Sequence, residues 1–448
     1  MSKRTRLFRC GSALVVLYAL VVTTLRAQTT QPAVEIEEPV TQWVSGISAA
    51  APLWCWGAPL LVRVGQEVYV SIAEPGPTRE QRWRVWHRGP QGWEVLYQAD
   101  AFEEPEPCPL VGLPDGRLFL SISPHKGPPG DGKVDPHLVQ LGADGQSPSV
   151  HVRASWPNEP GLTLPTYRGI TADAGNGELL AVSIAGPDYQ ASYMDWAGAW
   201  HPVTVPPFPI RTCYASLALV DRAAHMLSIG DIIEPVPEWY AFKQKTQSAG
   251  FVFRRLFYTY TPNVLAEPFA QPMEIDSAEQ TAGDIRHLDL YVDARGRAHL
   301  LYLKHDYSDG GLVQQFFPGK LSTCQLIHVI VDQGQVVSRR VILDGSQSVR
   351  VGTSEGAPSC HYARLVVRED GRIRALICAT IGGRTLMLLA SLGDTQPAEA
   401  LEPIPMAHPM MAFFTSSPRS GSPPSNVVDL LGLAANASEL RYARIRLP

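Results

Sequence analysis

The chain of 448 residues has few cysteines, no marked excess of either charge and no sustained helical pattern. Each shortage excludes something. Its seven cysteines show none of the close spacings that hold a metal. A formal net charge of −5, from 38 basic and 43 acidic residues, argues against non-specific nucleic-acid binding. No Ser/Gly-rich linker divides the chain, so its length does not demand a second domain. The 39 prolines and 37 glycines mark turns rather than disorder, because 45% of the residues are hydrophobic and can supply a core.

What the sequence does contain is a repeat. A β-rich run, an Asp- or Gly-marked turn and a second apolar run recur around Asp115-Gly116, Asp173 to Gly177, Asp221, Asp293 to Gly296 and Asp370-Gly371. Blurred copies lie around Gly65 and Val427 to Gly432. Asp and Gly tolerate the positive φ of a tight hairpin, so each copy predicts strand, turn and strand. The mean spacing is about 59 residues, a period that suits propeller blades. Each hairpin is followed by two more strand-like runs, such as 83–88 with 93–98, 251–260 with 269–275, and 325–331 with 336–343. The expected fold is all-β: a seven-bladed β-propeller of four-stranded antiparallel blades. The last blade has three strands of its own, and a strand near Gln42–Ser48 is expected to supply the fourth.

The first 27 residues resemble a secretory signal peptide, with a basic start from Lys3 to Arg9, an apolar stretch from Gly11 to Leu25 and a cleavage site after Ala27. An uncleaved membrane anchor is the alternative. Without this segment the chain holds 33 basic and 43 acidic residues, is expected to be secreted or periplasmic, and keeps no membrane span. Residues 28–40 are rich in Thr, Pro and Glu and read as a flexible lead-in, with the propeller spanning 41–448. Six cysteines then remain and allow fifteen pairings; Cys55 with Cys108 is the pair suggested by their place near adjacent innermost strands.

In a propeller the loops entering the innermost strands crowd around the central channel. Here those loops carry Trp54 and Trp56, Cys108, Tyr167 and Arg168, Arg211 and Tyr214, Arg286 and His287, His361 and Tyr362, and His408. Arginine pairs with carboxylates, tyrosine offers a hydroxyl on an aromatic platform, and histidine carries protons near neutral pH. Such a ring suits an acidic sugar. Capping of strand ends and packing of the channel mouth are the bland alternatives. Insertions add Trp239 and Tyr240, placed to stack on a sugar or to pack their own blade, and Lys304, His305 and Tyr307. The fragment Asp131 to Asp135 departs from a calcium loop at Lys133, so neither metal nor cofactor is expected.

The pattern Asp293-Ala-Arg-Gly296-Arg-Ala-His299-Leu-Leu-Tyr302 resembles the BNR-type repeats of sialidase-like propellers, in the branch that includes secreted uronate-polysaccharide lyases. The strict Ser-x-Asp-x-Gly-x-x-Trp box is absent, as is the Phe-Arg-Ile-Pro signature of true sialidases. The resemblance implies an Arg that neutralises a uronate carboxylate, with His and Tyr as base and acid for β-elimination. Arg211 or Arg286, His287 or His361, and Tyr214 or Tyr362 are the candidates, with Trp56, Tyr167, Arg168, Trp239, Tyr240, His305 and His408 binding substrate. A sialidase-like hydrolase would draw instead on Arg168, Arg211, Arg286, Arg350, Glu355, Tyr362 and Asp284. A non-catalytic propeller that binds sugar or protein is the third reading.

Overall fold

The computed structural model describes residues 31–42, 52–54, 56–77, 80–126, 134–158, 167–345, 358–393, 401–434 and 438–448. The Asp-marked turns close as their chemistry dictates. Asp115 accepts the backbone N–H of Arg117 at 3.0 Å and its side-chain Nε–H at 2.7 Å. Asp370 holds Arg372 in the same way, at 3.1 and 2.8 Å, and Asp293 holds Arg297, at 2.9 and 2.9 Å. Gly116, Gly296 and Gly371 adopt φ of +89°, +78° and +78°, which a side chain would resist.

These hairpins form the inner halves of seven four-stranded antiparallel sheets. The innermost strands are Leu61–Val64, Leu110–Gly112, Arg168–Asp173, Thr212–Val220, Asp284–Val292, Ser359–Val367 and Met410–Thr415. They touch one another in a closed ring, the last against the first. Burial on both faces explains their near-continuous apolar sequence: Thr212 to Leu219 is buried at every position. The fold is a seven-bladed β-propeller.

Closure departs from expectation in position. The fourth strand of blade seven is Ala33–Gln42, paired from Ala33 against Arg446 to Gln42 against Glu439. Residues 43–48, where that strand was expected, lie outside the described residues. The segment read as a flexible lead-in is therefore strand from Ala33 onward. Its Thr/Pro/Glu composition conceals alternation: Val34, Ile36 and Val40 pack on the core, while Glu35 pairs with Arg446 and Glu38 with Arg88. Pro39 is tolerated because the strand is at a sheet edge, beside a bulge. In blade four the expected run 251–260 splits. Phe251–Val252 pairs with Ile232–Ile233 outside the blade, and Arg255–Thr261 continues as its third strand.

Buried arginines cross the centre of the ring. Arg419, fully buried, donates to Asp289, to the carbonyl of Gly57 at 3.0 Å and to that of Leu217. Arg364 donates to the carbonyls of Leu288 at 2.6 Å and Trp56 at 3.1 Å. A Cβ on Gly57 would run into the Tyr214 carbonyl, so only glycine lets this segment cross so closely. The segment that carries Trp54 and Trp56 is thus tied over the axis by arginines of blades six and seven.

Cys55 lies outside the described residues, as do Arg350, Glu355, Asp131, Lys133 and the first 30 residues. Among the described residues no helix is long and apolar enough to cross a membrane.

Candidate functional site

A register shift recurs near the start of four innermost strands, between Cys213 and Ser216, His287 and Asp289, Cys360 and Tyr362, and Met410 and Ala412. Bulges re-aim side chains, and here they decide which predicted residues reach the mouth. In blade four the shift places Tyr214 at φ +52°, an uncommon conformation for a bulky residue. Its ring, 6% exposed, packs against Trp54, Trp56 and Tyr167.

The entry loops of five consecutive blades converge there. Trp54 and Trp56 stand 5.1 Å apart, Trp56 is 5.5 Å from Tyr214, and Tyr214 is 4.7 Å from Tyr167. The Trp54 indole N–H donates to the Tyr214 hydroxyl at 2.5 Å, and that hydroxyl faces Oε1 of Glu106 at 3.5 Å. Burial raises the Glu106 pKa to about 8, against the opposing charge of Arg168. Burial, with Glu106 and Tyr167 beside it, raises Tyr214 far above the ordinary phenol range, so the hydroxyl stays protonated. Tyr167 donates to Asp231 at 2.7 Å, and Arg211 donates to the same carboxylate oxygen at 2.7 Å. The Arg286 guanidinium lies 5.7 Å above the Trp56 ring and keeps half its side chain in solvent. Arg211 is less open, and its guanidinium lies 5.2 Å from the Phe251 ring.

Of the predicted residues, Trp56, Tyr167, Arg211, Tyr214 and Arg286 come together. Others do not. His287 is fully buried below the mouth, its Nε2 against the Tyr214 carbonyl at 2.5 Å. Enclosed and bonded to the bulge, it cannot meet a sugar, and the same burial lowers its pKa to about 4. Tyr362 is buried and accepts from Arg364 at 2.8 Å, bracing the axis. His361 is held at 2.7 Å by Thr380, on the next strand of its own blade. Arg168 is buried and bound to Glu104 at 3.0 Å and to the carbonyls of Glu106 and Pro107. It shapes the Glu106 loop rather than facing substrate. His408 lies by the closing strand, its backbone N–H on Glu37 at 2.6 Å. Trp239 packs on Phe317 at 5.5 Å with Arg254 over its face, so it secures its insertion, while Tyr240 is exposed. His305 borders a cleft of about 350 Å³ together with Arg286, Asp284 and Phe251.

Glu106 and Asp231 are the functional candidates that residue-type reasoning passed over. A signal existed for Glu106: the run Glu104-Pro-Glu106-Pro-Cys108 puts two acids directly before an innermost strand. Asp231 follows the second strand of blade four, a position outside the entry loops.

No family model matches the chain, and no curated protein matches it. Solved structures do. A polysaccharide lyase, Uly1, superposes with a TM-score of 0.55 at 11% identity, covering 93% of this chain and 99% of that one. An α-L-arabinanase from Penicillium chrysogenum complexed with arabinobiose gives 0.43 at 12% identity, over 93% and 98%. A sialidase from Trypanosoma rangeli gives 0.37 at 12% identity, over 74% and 53%. At such identities the likeness is one of architecture, and what the match to Uly1 shows is the β-propeller fold.

Proposed function

We propose that this protein binds an acidic polysaccharide at the channel mouth and cleaves it by β-elimination next to a uronate residue. The observation that carries this reading is the Glu106–Tyr214 pair, a carboxyl of raised pKa facing a phenol that stays protonated. Arg286, half in solvent over the Trp56 ring and 3.3 Å from Asp284, would take the uronate carboxylate and so acidify the proton on the adjacent carbon. Ionised Glu106, far more basic than an ordinary carboxylate, would remove that proton from C5. The C5–H electrons form the C4–C5 double bond as the C4–O bond breaks. Tyr214 gives its proton to the departing oxygen, and the Trp54 indole N–H steadies the transient phenolate. Across the 3.5 Å contact Glu106 returns its proton to Tyr214, which resets the site.

Hydrolysis would need a second carboxylate able to reach the sugar or a water beside it. Asp231 is 1% exposed and bound by Arg211 and Tyr167, and Asp284 is paired with Arg286 at 3.3 Å, which argues against that role for either. The test is incubation with a panel of uronate polysaccharides, following the ultraviolet absorbance of the new conjugated double bond. Absorbance that grows with wild type and not with Tyr214→Phe is expected. New reducing ends without absorbance would overturn elimination, and no cleavage of any uronate polymer would overturn catalysis.

A further inference from the structure

Two insertions, in adjacent blades, meet over one cleft. Blade four contributes the hairpin Ile232–Ile233 with Phe251–Val252 and the helix Pro237–Thr246; blade five contributes the helix Gly310–Phe316 and the segment before it. Ion pairs brace them. Buried Glu234 accepts from Arg254 through both oxygens, at 2.8 and 2.8 Å, and lies 3.3 Å from Lys243, which is also 3.3 Å from Asp309. Phe242 packs against Phe316 at 5.8 Å across the same junction. These contacts join the two insertions into one wall.

The cleft it encloses, of about 350 Å³, begins where the mouth ends, because Arg286 borders both. Phe251 lines it and is 50% exposed, an aromatic ring at the rim with the Arg211 guanidinium 5.2 Å from its centre. Its polar lining mixes donors and acceptors: His305, Ser308, Asp284 and Asp309. Arg286 is paired with Asp284, and Lys243 and Arg254 are balanced by Glu234 and Asp309. Nothing there offers a net positive charge for a second anionic group. An apolar ring face beside paired acceptors and donors suits the hydroxyls and C–H face of an uncharged sugar.

We propose that this cleft is a second subsite, taking an uncharged sugar ring linked to the acidic residue held at Arg286. It follows that the preferred ligand is a glycan in which uronate alternates with a neutral sugar, and that a single uronic acid binds poorly. This rests on the proposed function above.

The experiment is calorimetric titration of the full chain with three probes: glucuronic acid, an oligogalacturonate tetrasaccharide, and a tetrasaccharide alternating glucuronate with N-acetylglucosamine. The alternating probe is expected to bind about tenfold tighter than the homopolymer. Phe251→Ala is expected to remove that margin by weakening the alternating probe more than the homopolymer, and Asp309→Asn to narrow it. Equal affinity for the two tetrasaccharides, or a margin that survives Phe251→Ala in a variant that melts like wild type, would overturn the subsite but leave the acidic-glycan reading standing. Failure of wild type to bind any of the three would overturn both.

Discussion

Tyr214 and Glu106 belong to different blades, yet the phenol hydroxyl faces Oε1 of the carboxyl across 3.5 Å, under the indole of Trp54. A bulge at φ +52° sets the phenol, and Arg168, bonded to the Glu106 and Pro107 carbonyls, sets the loop that carries the carboxyl.

The direction of the pH dependence follows from the Glu106 pKa of about 8. As base, Glu106 works ionised, so turnover should rise tenfold per pH unit below 8 and level off above it. Glu106→Gln should lose about 10²–10⁴-fold in turnover and lose this profile. Rate against pH on one uronate polymer checks it. A rate that falls as pH rises through 8 would mean Glu106 acts as an acid.

Stability should move the other way through the same group. The folded pKa lies above the ordinary 4.5, so the folded state holds this proton more tightly than the unfolded chain. Between pH 4.5 and 8 this group lowers stability as pH rises. Glu106→Gln should therefore stabilise the fold at pH 8 and change it little at pH 4. Urea midpoints at the two pH values read this out.

Buried histidines predict acid sensitivity. Burial lowers His225 and His287 to about 4 and His328 to about 3, from 6.5. Their folded pKa values lie below the unfolded ones, so stability is present above 6.5 and is lost as pH falls toward 4. Each contributes a slope of up to about 1.4 kcal/mol per pH unit in that window. His287→Gln should flatten the slope by one histidine's share, as measured by urea denaturation from pH 4 to 7.

Arg286→Ala should separate site from scaffold. Its side chain is half in solvent, so unfolding free energy should stay within about 0.5 kcal/mol of wild type. Turnover on a uronate polymer should fall by about 10²-fold. A large fall in stability with no change in rate would assign Arg286 to the scaffold.

Asp289→Ala should do the opposite, because it strands buried Arg419 at the centre of the ring. Loss of one partner of a buried pair costs about 3–5 kcal/mol. Urea denaturation checks this, and a cost below about 1 kcal/mol would show that the axis is braced elsewhere.

The blades were legible because their signals are local. Asp115, Asp293 and Asp370 each bind an Arg two or four residues on, within one turn. Convergence of the entry loops followed from topology alone, which is why Trp56, Tyr167, Arg211, Tyr214 and Arg286 were nameable in advance. Depth was not legible. Tyr214 and His287 both stand at the bulged starts of innermost strands, and their register shifts turn one ring toward Trp54 and leave the other beneath the Tyr214 carbonyl. Composition likewise hid the closing strand, whose Glu35, Glu37 and Glu38 find basic or backbone partners far along the chain.

The most direct test of the Glu106–Tyr214 account is the mass of the products. Wild type acting on a uronate oligosaccharide of known mass should give fragments that sum to the parent, one of them carrying a C4–C5 double bond, and Glu106→Gln should release them about 10²–10⁴-fold more slowly. Fragments that sum to the parent plus one water would contradict the account and make the same carboxyl a hydrolytic acid.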